Sequence, residues 1–128
     1  CDASTDSGLA VYSPDRQGTV QGVTGPTQEI IARSKTAADL VHKGMATSLE
    51  GLLKDGGVRG DSKTYVGARQ GALTGSIYSK VPIVTIEMVV LSNVSDANFI
   101  KSEDGQQKMA TAIATGIERF VNSLQRAK

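Results

Sequence analysis

The chain has 128 residues, of which 39% are hydrophobic and 21% are charged, and its formal net charge is +1. This length suits one domain with a single core, and the balanced charge excludes the basic surface of a nucleic-acid binder. The only cysteine, Cys1, excludes an intrachain disulfide and a cysteine-rich zinc site. No apolar run approaches the roughly 20 residues of a membrane span.

Two interpretations of Cys1 are open. A cysteine followed by Asp2 is the pattern of the lipid-modified first residue of a mature bacterial lipoprotein. Alternatively, position 1 is only the boundary of a longer sequence, and any export signal then lies upstream.

The first half of the chain predicts a strand, a loop and a long helix. Leu9–Tyr12 predicts a short strand, and the glycine-rich stretch 18–26 predicts a loop. From Thr27 onward, residues recur at three- and four-residue steps typical of an amphipathic helix, and Gly56–Gly57 is its expected C-terminal stop. The recurring positions are Ile30, Ile31, Ser34, Ala37, Ala38, Val41, Met45, Leu49, Leu52 and Leu53.

The second half predicts a central strand and a closing helix. Residues 58–81 predict a loop with one short strand or helical turn, and the β-branched run Pro82–Leu91 predicts a strand covered on both faces. Asp96–Ile100 predicts a short helical turn, and Ser102 predicts the N-cap of the last helix. Its apolar positions are Met109, Ala110, Ile113, Ile117, Phe120, Val121 and Leu124. Strands interleaved with two long amphipathic helices favour an α/β layered architecture.

Glu87 is the best candidate for a catalytic residue. It is the only charged residue in the run Pro82–Leu91, and burial of an unpaired carboxylate is costly. One interpretation is a general base at the C-terminal end of a strand, where open α/β sheets bind ligands. The other is that Thr85 and Glu87, two residues apart on one face, simply point to solvent.

His42 is interpreted as a surface histidine of the first helix, because no second histidine or cysteine stands at metal-ligand spacing. The glycine-rich stretch 18–25 lacks the lysine and the spacing of a phosphate-binding loop. Nothing resembles the turn that presents a serine nucleophile. A serine hydrolase and an internal zinc site are therefore not supported.

One region of the sequence is similar to a motif of a known protein family. It consists of Val81–Met88, followed by Leu91-Ser92-Asn93 and Asp96. It resembles the last motif of the zinc-dependent N-acetylmuramoyl-L-alanine amidases, in which a proline-led strand ends in a glutamate before a turn with an asparagine. The resemblance covers about residues 60–125. Toward the N-terminus, Cys1–Ser4 and Gly8–Tyr12 resemble the family segments that follow a zinc-ligand histidine, which favours a boundary over a lipoprotein at position 1.

Two departures from the family pattern bear on the substrate groove. Val89-Val90 stands where the family usually has a glycine and a larger residue, and Ile77 stands where many members carry a polar one. The family's zinc ligands, two histidines and a glutamate from the N-terminal half, have no counterpart here.

The resemblance implies that residues 1–128 are the C-terminal part of a three-layer α/β/α amidase domain with a mixed sheet, without the half that holds the zinc ligands. It implies a secreted, periplasmic or wall-bound hydrolase that cleaves the amide between N-acetylmuramic acid and L-alanine of peptidoglycan. Glu87 is then the general base for zinc-activated water. Arg69 and Asn93 are candidate substrate-binding residues, although an ordinary exposed arginine is an equal interpretation of Arg69.

The alternative function is a non-catalytic cell-wall binding or regulatory module derived from an amidase. The expected partners are peptidoglycan or muropeptides, with no nucleic acid and no membrane span. An N-terminal fragment or a second copy of the chain is a further expected partner, because an open sheet exposes apolar residues. The 128-residue chain alone is expected to bind no zinc tightly and to be inactive.

Overall fold

The computed structural model describes residues 5–127 and has an α/β fold, as predicted. Three strands, β1 (Leu9–Ser13), β4 (Asp55–Gly60) and β5 (Thr85–Glu87), form a sheet in the order β4–β1–β5. Strand β2 (Gly18–Val20) pairs with β3 (Val23–Gly25). The Cys1–Ser4 segment lies outside the described residues. The elements in chain order are β1 (Leu9–Ser13), β2 (Gly18–Val20), β3 (Val23–Gly25), α1 (Gln28–Ser48), β4 (Asp55–Gly60), α2 (Tyr65–Gln70), α3 (Thr74–Tyr78), β5 (Thr85–Glu87), α4 (Val94–Lys101) and α5 (Glu103–Arg126).

Contacts within the chain divide it into two compact units. Among the described residues, unit 1 comprises 5–10, Leu40–Gly57 and 86–127, and unit 2 comprises Val11–Asp39 and Val58–Thr85. The buried apolar residues of unit 1 include Leu9, Val41, Met45, Leu49, Val90, Met109 and Ala112. Those of unit 2 include Val11, Ile30, Ala37, Ala38, Ala72 and Ile77.

A hairpin replaces part of the loop predicted for residues 18–26. Strands β2 and β3 pair antiparallel, with Thr19 opposite Thr24, and their hydroxyl oxygens lie 2.8 Å apart. Gln21 and Gly22 both have positive φ angles, 49° and 78°, as a two-residue turn between twisted strands requires. The glycines were correctly taken as turn signals, but the short strands between them were missed.

Helix α1 confirms the predicted amphipathic helix but ends earlier than expected. It ends at Ser48, and Gly51 in the following turn has a φ angle of 76°, a conformation that glycine adopts without steric cost. Gly56–Gly57 lies instead in strand β4, so its assignment as the helix stop was wrong. Ser34, the polar residue of the apolar series, is buried and accepts the N–H of Ile83 at 2.9 Å.

The strand predicted for Pro82–Leu91 is much shorter and less buried in the structure. Only Thr85–Glu87 is a strand, and it is an edge strand of the three-stranded sheet instead of the central one. Of the ten residues, only Val90 is buried. A strand needs neighbours on both edges and cover on both faces to bury such a run, and among the described residues β5 pairs only with β1. The stretch 58–81, predicted as a loop with one short element, contains α2 and α3.

The two last helices begin at capping residues. Ser102 caps α5, as predicted, by accepting the N–H of Gly105 at 2.9 Å. Asn93 caps α4, which was not predicted. Within unit 1, α5 approaches α1 closely at Gly116, where an added Cβ atom would lie 2.5 Å from the carbonyl oxygen of Val41. The predicted apolar positions Ile117, Val121 and Leu124 near the end of α5 are exposed.

Candidate functional site

Glu87 ends strand β5 in unit 1. Thr85 is exposed and Glu87 is half-buried, so the carboxylate stands at a surface and is not enclosed in an apolar interior. No hydrogen bond or ion pair joins it to another residue within 5–127. It therefore has free acceptor oxygens and access to solvent, which a general base for water requires.

The segment after Glu87 leads into helix α4 through a tight turn. The N–H of Asn93 donates to the carbonyl oxygen of Val90 at 2.9 Å. The side-chain oxygen of Asn93 in turn accepts the N–H of Asp96 at 3.1 Å and so caps α4. Asn93, a candidate substrate-binding residue, thus has a structural role through its oxygen, while its amide nitrogen makes no hydrogen bond to the part of the chain described.

Asp96, named from the sequence only as part of the family motif and as the start of a helical turn, is buried and makes contacts that were not predicted. Its Oδ2 atom accepts the N–H groups of Gly8 at 2.6 Å and Val90 at 2.9 Å. The available signal was an acid three residues after a capping asparagine, a position favoured by the partial positive charge of a helix N-terminus. That pattern predicts a helix start but not a contact with Gly8.

Met88, the residue that follows Glu87, lines an apolar cavity. Met88 lines it together with residues of helices α4 and α5, and its volume is about 390 Å³. This size falls within the range of small-ligand pockets, on the order of 300–1,000 Å³. The other lining residues are Ile100, Gln106, Met109, Ala110 and Ile113.

Arg69 lies in unit 2, on helix α2, and not in the predicted loop. Its guanidinium carbon stands 3.5 Å from the centre of the Tyr65 ring, and one of its nitrogens donates to the carbonyl oxygen of Tyr65. The Tyr65 side chain itself is exposed. This local stacking positions the guanidinium on the surface of unit 2, whereas Glu87 and Asn93 belong to unit 1.

His42 contacts an acidic partner, which its assignment as a plain surface histidine did not predict. Its Nε2 atom lies 2.6 Å from Oδ1 of Asp55 at the start of β4, and the two side chains are 20% and 49% exposed. Partial burial of Asp55 opposes its ionisation. The hydrogen bonds from His42 and from the N–H of Gly57, together with the charge of His42, outweigh burial and lower the pKa of the Asp55 carboxyl.

This pKa shift predicts a pH dependence of stability. Because the pKa is lowered in the folded state, the contribution of Asp55 is present above the ordinary value of 3.8 and is lost as the pH falls through the folded pKa. Asp55→Asn should therefore flatten the decline of the free energy of unfolding below about pH 4. Urea titrations at pH 7 and pH 3 measure this, with Glu118→Gln as a control for loss of a surface carboxylate. An unchanged slope for Asp55→Asn would contradict the prediction.

The described residues do not fit the zinc implied by the family resemblance. Within residues 5–127, no group of three or more His, Cys, Asp or Glu side chains is arranged to hold a metal ion. Structural and catalytic zinc sites use three or four protein ligands. Glu87 and the His42–Asp55 pair thus do not build a metal centre by themselves.

The sequence profile of the N-acetylmuramoyl-L-alanine amidases matches residues 1–119, nearly the whole chain. The chain belongs to the N-acetylmuramoyl-L-alanine amidase family. The match includes Glu87, Asn93 and Asp96, so the region just described is part of the family's domain. No curated protein sequence matches the chain.

Solved structures of amidases share this fold. The chain is 18% identical to an N-acetylmuramoyl-L-alanine amidase of Clostridium difficile 630, with a TM-score of 0.69 over 95% of this chain and 52% of that one. The Mycobacterium smegmatis amidase gives 23% identity and a TM-score of 0.67, over 93% and 49% of the two chains. For the Nostoc punctiforme amidase the values are 22%, 0.63, 93% and 53%. The chain therefore spans about half the length of these structures.

Proposed function

We propose that this chain forms the C-terminal part of the catalytic domain of an enzyme that cleaves peptidoglycan between N-acetylmuramic acid and L-alanine. The observation that carries the proposal is the family match over residues 1–119, which contains the solvent-accessible carboxylate of Glu87 at a strand end. The substrate lies outside the cytoplasmic membrane, so the protein would act in the periplasm, in the wall or after secretion. No helix within residues 5–127 is long and apolar enough to cross a membrane.

Glu87 is proposed as the general base and then the general acid of amide hydrolysis. Its carboxylate takes a proton from the attacking water as the new C–O bond forms, and gives it to the amine nitrogen as the C–N bond breaks. The half-buried position supports this role, because both oxygens remain unpaired within the described chain while part of the surrounding water is excluded.

Zinc is proposed as the cofactor of the complete enzyme. When bound, it would polarise the amide carbonyl and lower the pKa of its water ligand. The described residues hold no group of ligands for it, so we expect the two histidines and the glutamate of the family to come from residues outside this chain. Their proposed source is the N-terminal half of the family's domain, upstream of this chain, because the chain itself has a single histidine, His42. A separate N-terminal fragment or a second copy of the chain is proposed to cover the exposed apolar end of α5.

Arg69 and Asn93 are proposed to bind the substrate. A guanidinium held over the Tyr65 ring is already restricted in its motion and can bind a stem-peptide carboxylate through two N–H groups. The amide nitrogen of Asn93 is free to donate to a substrate carbonyl, because only the side-chain oxygen serves as the helix cap.

A second candidate function is a wall-binding or regulatory module without hydrolytic activity. The observation that favours it is the lack of a metal-binding group among residues 5–127. Such a module would bind muropeptides or peptidoglycan and leave the amide bond intact.

Hydrolysis of purified peptidoglycan separates the two functions. For the protein that carries this chain, we expect stem peptides with a free N-terminal L-alanine to appear and no new reducing ends of sugars. The 128-residue chain alone is the comparison and is expected to release none. Sedimentation with peptidoglycan but no release of stem peptides by the whole protein would favour the binding module and contradict the amidase.

A further inference from the structure

One buried carboxylate oxygen connects the segment after Glu87 to the beginning of strand β1. We infer that Asp96 is a positioning residue that fixes the backbone carrying Glu87 and thereby holds the general base at its working distance from water and amide. This inference rests on the proposed function, because it acts through Glu87.

Asp96 makes two short, buried hydrogen bonds through a single carboxylate oxygen. The residue is 3% exposed, and its Oδ2 atom accepts the N–H of Gly8 at 2.6 Å and the N–H of Val90 at 2.9 Å. Hydrogen bonds to an ionised carboxylate are shorter and stronger than neutral ones. The same oxygen thus connects two segments that are far apart in the sequence.

Val90 is a fixed point close to Glu87 along the chain. Val90 is the third residue after Glu87, so their Cα atoms lie within about 11 Å of one another even if the chain is fully extended. The N–H of Val90 is held by Asp96 and its carbonyl oxygen by Asn93, whose side chain in turn caps the N–H of Asp96. These bonds form a closed network that restrains the turn after β5 at both ends.

Gly8 is adapted to this close approach. Its φ angle is 91°, and an added Cβ atom would lie 1.9 Å from the carbonyl oxygen of Lys54. The next residue, Leu9, donates its N–H to that same oxygen at 3.0 Å. The start of β1 is thus held by a hydrogen bond to Lys54, the residue before β4, and by a hydrogen bond to Asp96. Through Asp96 it restrains the turn that follows Glu87.

Removal of the carboxylate should therefore affect the chemical step more than substrate binding. The N–H groups of Gly8 and Val90 would lose their acceptor. The backbone at Val90, three positions after Glu87, would then be free to move. A displacement of about 1 Å at a reacting group can cost on the order of 100-fold in rate. For Asp96→Ala we expect kcat per folded enzyme to fall about 10- to 100-fold, with KM little changed.

The test is a double-mutant cycle in the protein that carries this chain. Muropeptide hydrolysis is measured for Asp96→Ala, Glu87→Gln and the double variant, with rates expressed per folded molecule. Asp61→Ala is the matched control, because Asp61 is also fully buried and accepts the N–H of Leu73 and the hydroxyl of Ser76, but lies in unit 2. Asp96→Asn keeps an oxygen that can accept both N–H groups.

We expect Asp96→Ala to slow the wild-type enzyme but not the Glu87→Gln variant any further. Asp96→Asn should recover most of the lost kcat, and Asp61→Ala should leave kcat per folded molecule unchanged. If Asp96→Ala does not fold, the cycle uses Asp96→Glu, which keeps the carboxylate but displaces its oxygens by one methylene. The positioning role would be overturned if the loss of kcat in the double variant equalled the product of the two single-variant losses. An unchanged kcat in Asp96→Ala would also overturn it. Full activity of Glu87→Gln alone would instead refute the proposed general base.

Discussion

Glu87→Gln is expected to lower kcat for muropeptide hydrolysis by about 100- to 10,000-fold, the range typical of a removed general acid–base group. Glutamine keeps the shape of the side chain but cannot take a proton from water. The half-buried carboxylate makes no hydrogen bond or ion pair to the other residues of the described part of the chain, so its replacement should cost little stability. The measurement is the initial rate of stem-peptide release by the protein that carries this chain.

Glu118→Gln is the matched control for this change, because Glu118 is an exposed glutamate on α5 and is not one of the proposed site residues. It should retain the wild-type rate. Zinc content, measured by metal analysis of both variants, should also be unchanged, because Glu87 is proposed as the base and not as a ligand. Wild-type activity of Glu87→Gln, or loss of zinc together with loss of activity, would show that this assignment is wrong.

Gly116→Ala is expected to destabilise the protein by about 1–3 kcal/mol, the usual cost of an added methyl group in a packed contact. Its Cβ atom would lie 2.5 Å from the carbonyl oxygen and 2.9 Å from the Cα atom of Val41. These are backbone atoms of α1, so the helices would have to move apart. The overlap should outweigh the gain of roughly 1 kcal/mol that alanine brings to a helix. Denaturant unfolding at neutral pH measures the change.

Gly75→Ala is the control for helix propensity alone. Gly75 lies in helix α3, is exposed, and its added Cβ atom would have only the tip of Ile83 as a neighbour, at 3.9 Å. This variant should be stabilised by about 0.5–1 kcal/mol. Opposite signs for the two substitutions are expected, and a stabilised Gly116→Ala protein would contradict the close packing of α1 and α5.

The long helices could be predicted because their signals are local. The three- and four-residue spacing from Ile30 to Leu49 depends only on helix geometry, and Ser102 caps α5 because its side chain reaches the third N–H that follows. The end of α1 was misplaced because two glycine signals compete, and only Gly51 adopts a positive φ angle next to the helix. Gly57 also has a positive φ angle but lies within a strand.

The candidate site could be predicted only in part. Glu87 was identifiable as a candidate from its place in an apolar run, and its proposed role as general base came from the resemblance of the flanking motif to the family. The burial of the run Pro82–Leu91 around it was overestimated, since an apolar run is buried only where other strands and helices cover it, and sequence periodicity does not contain that information. The pairing of His42 with Asp55 and the shared oxygen of Asp96 were not predictable, because each joins residues that meet only through the fold.

The amino-acid sequence by itself determined the α/β class, the two long helices, the family and the identity of the candidate base. These follow from residue spacing and from motifs that lie within a few residues of one another. Only the tertiary structure decided that Glu87 ends a short strand at one end of the sheet, and that Asp96 holds Gly8 and Val90 by one oxygen. The physical reason is that exposure and hydrogen-bond partners depend on segments far apart in the chain, whose approach is set by packing of the whole fold.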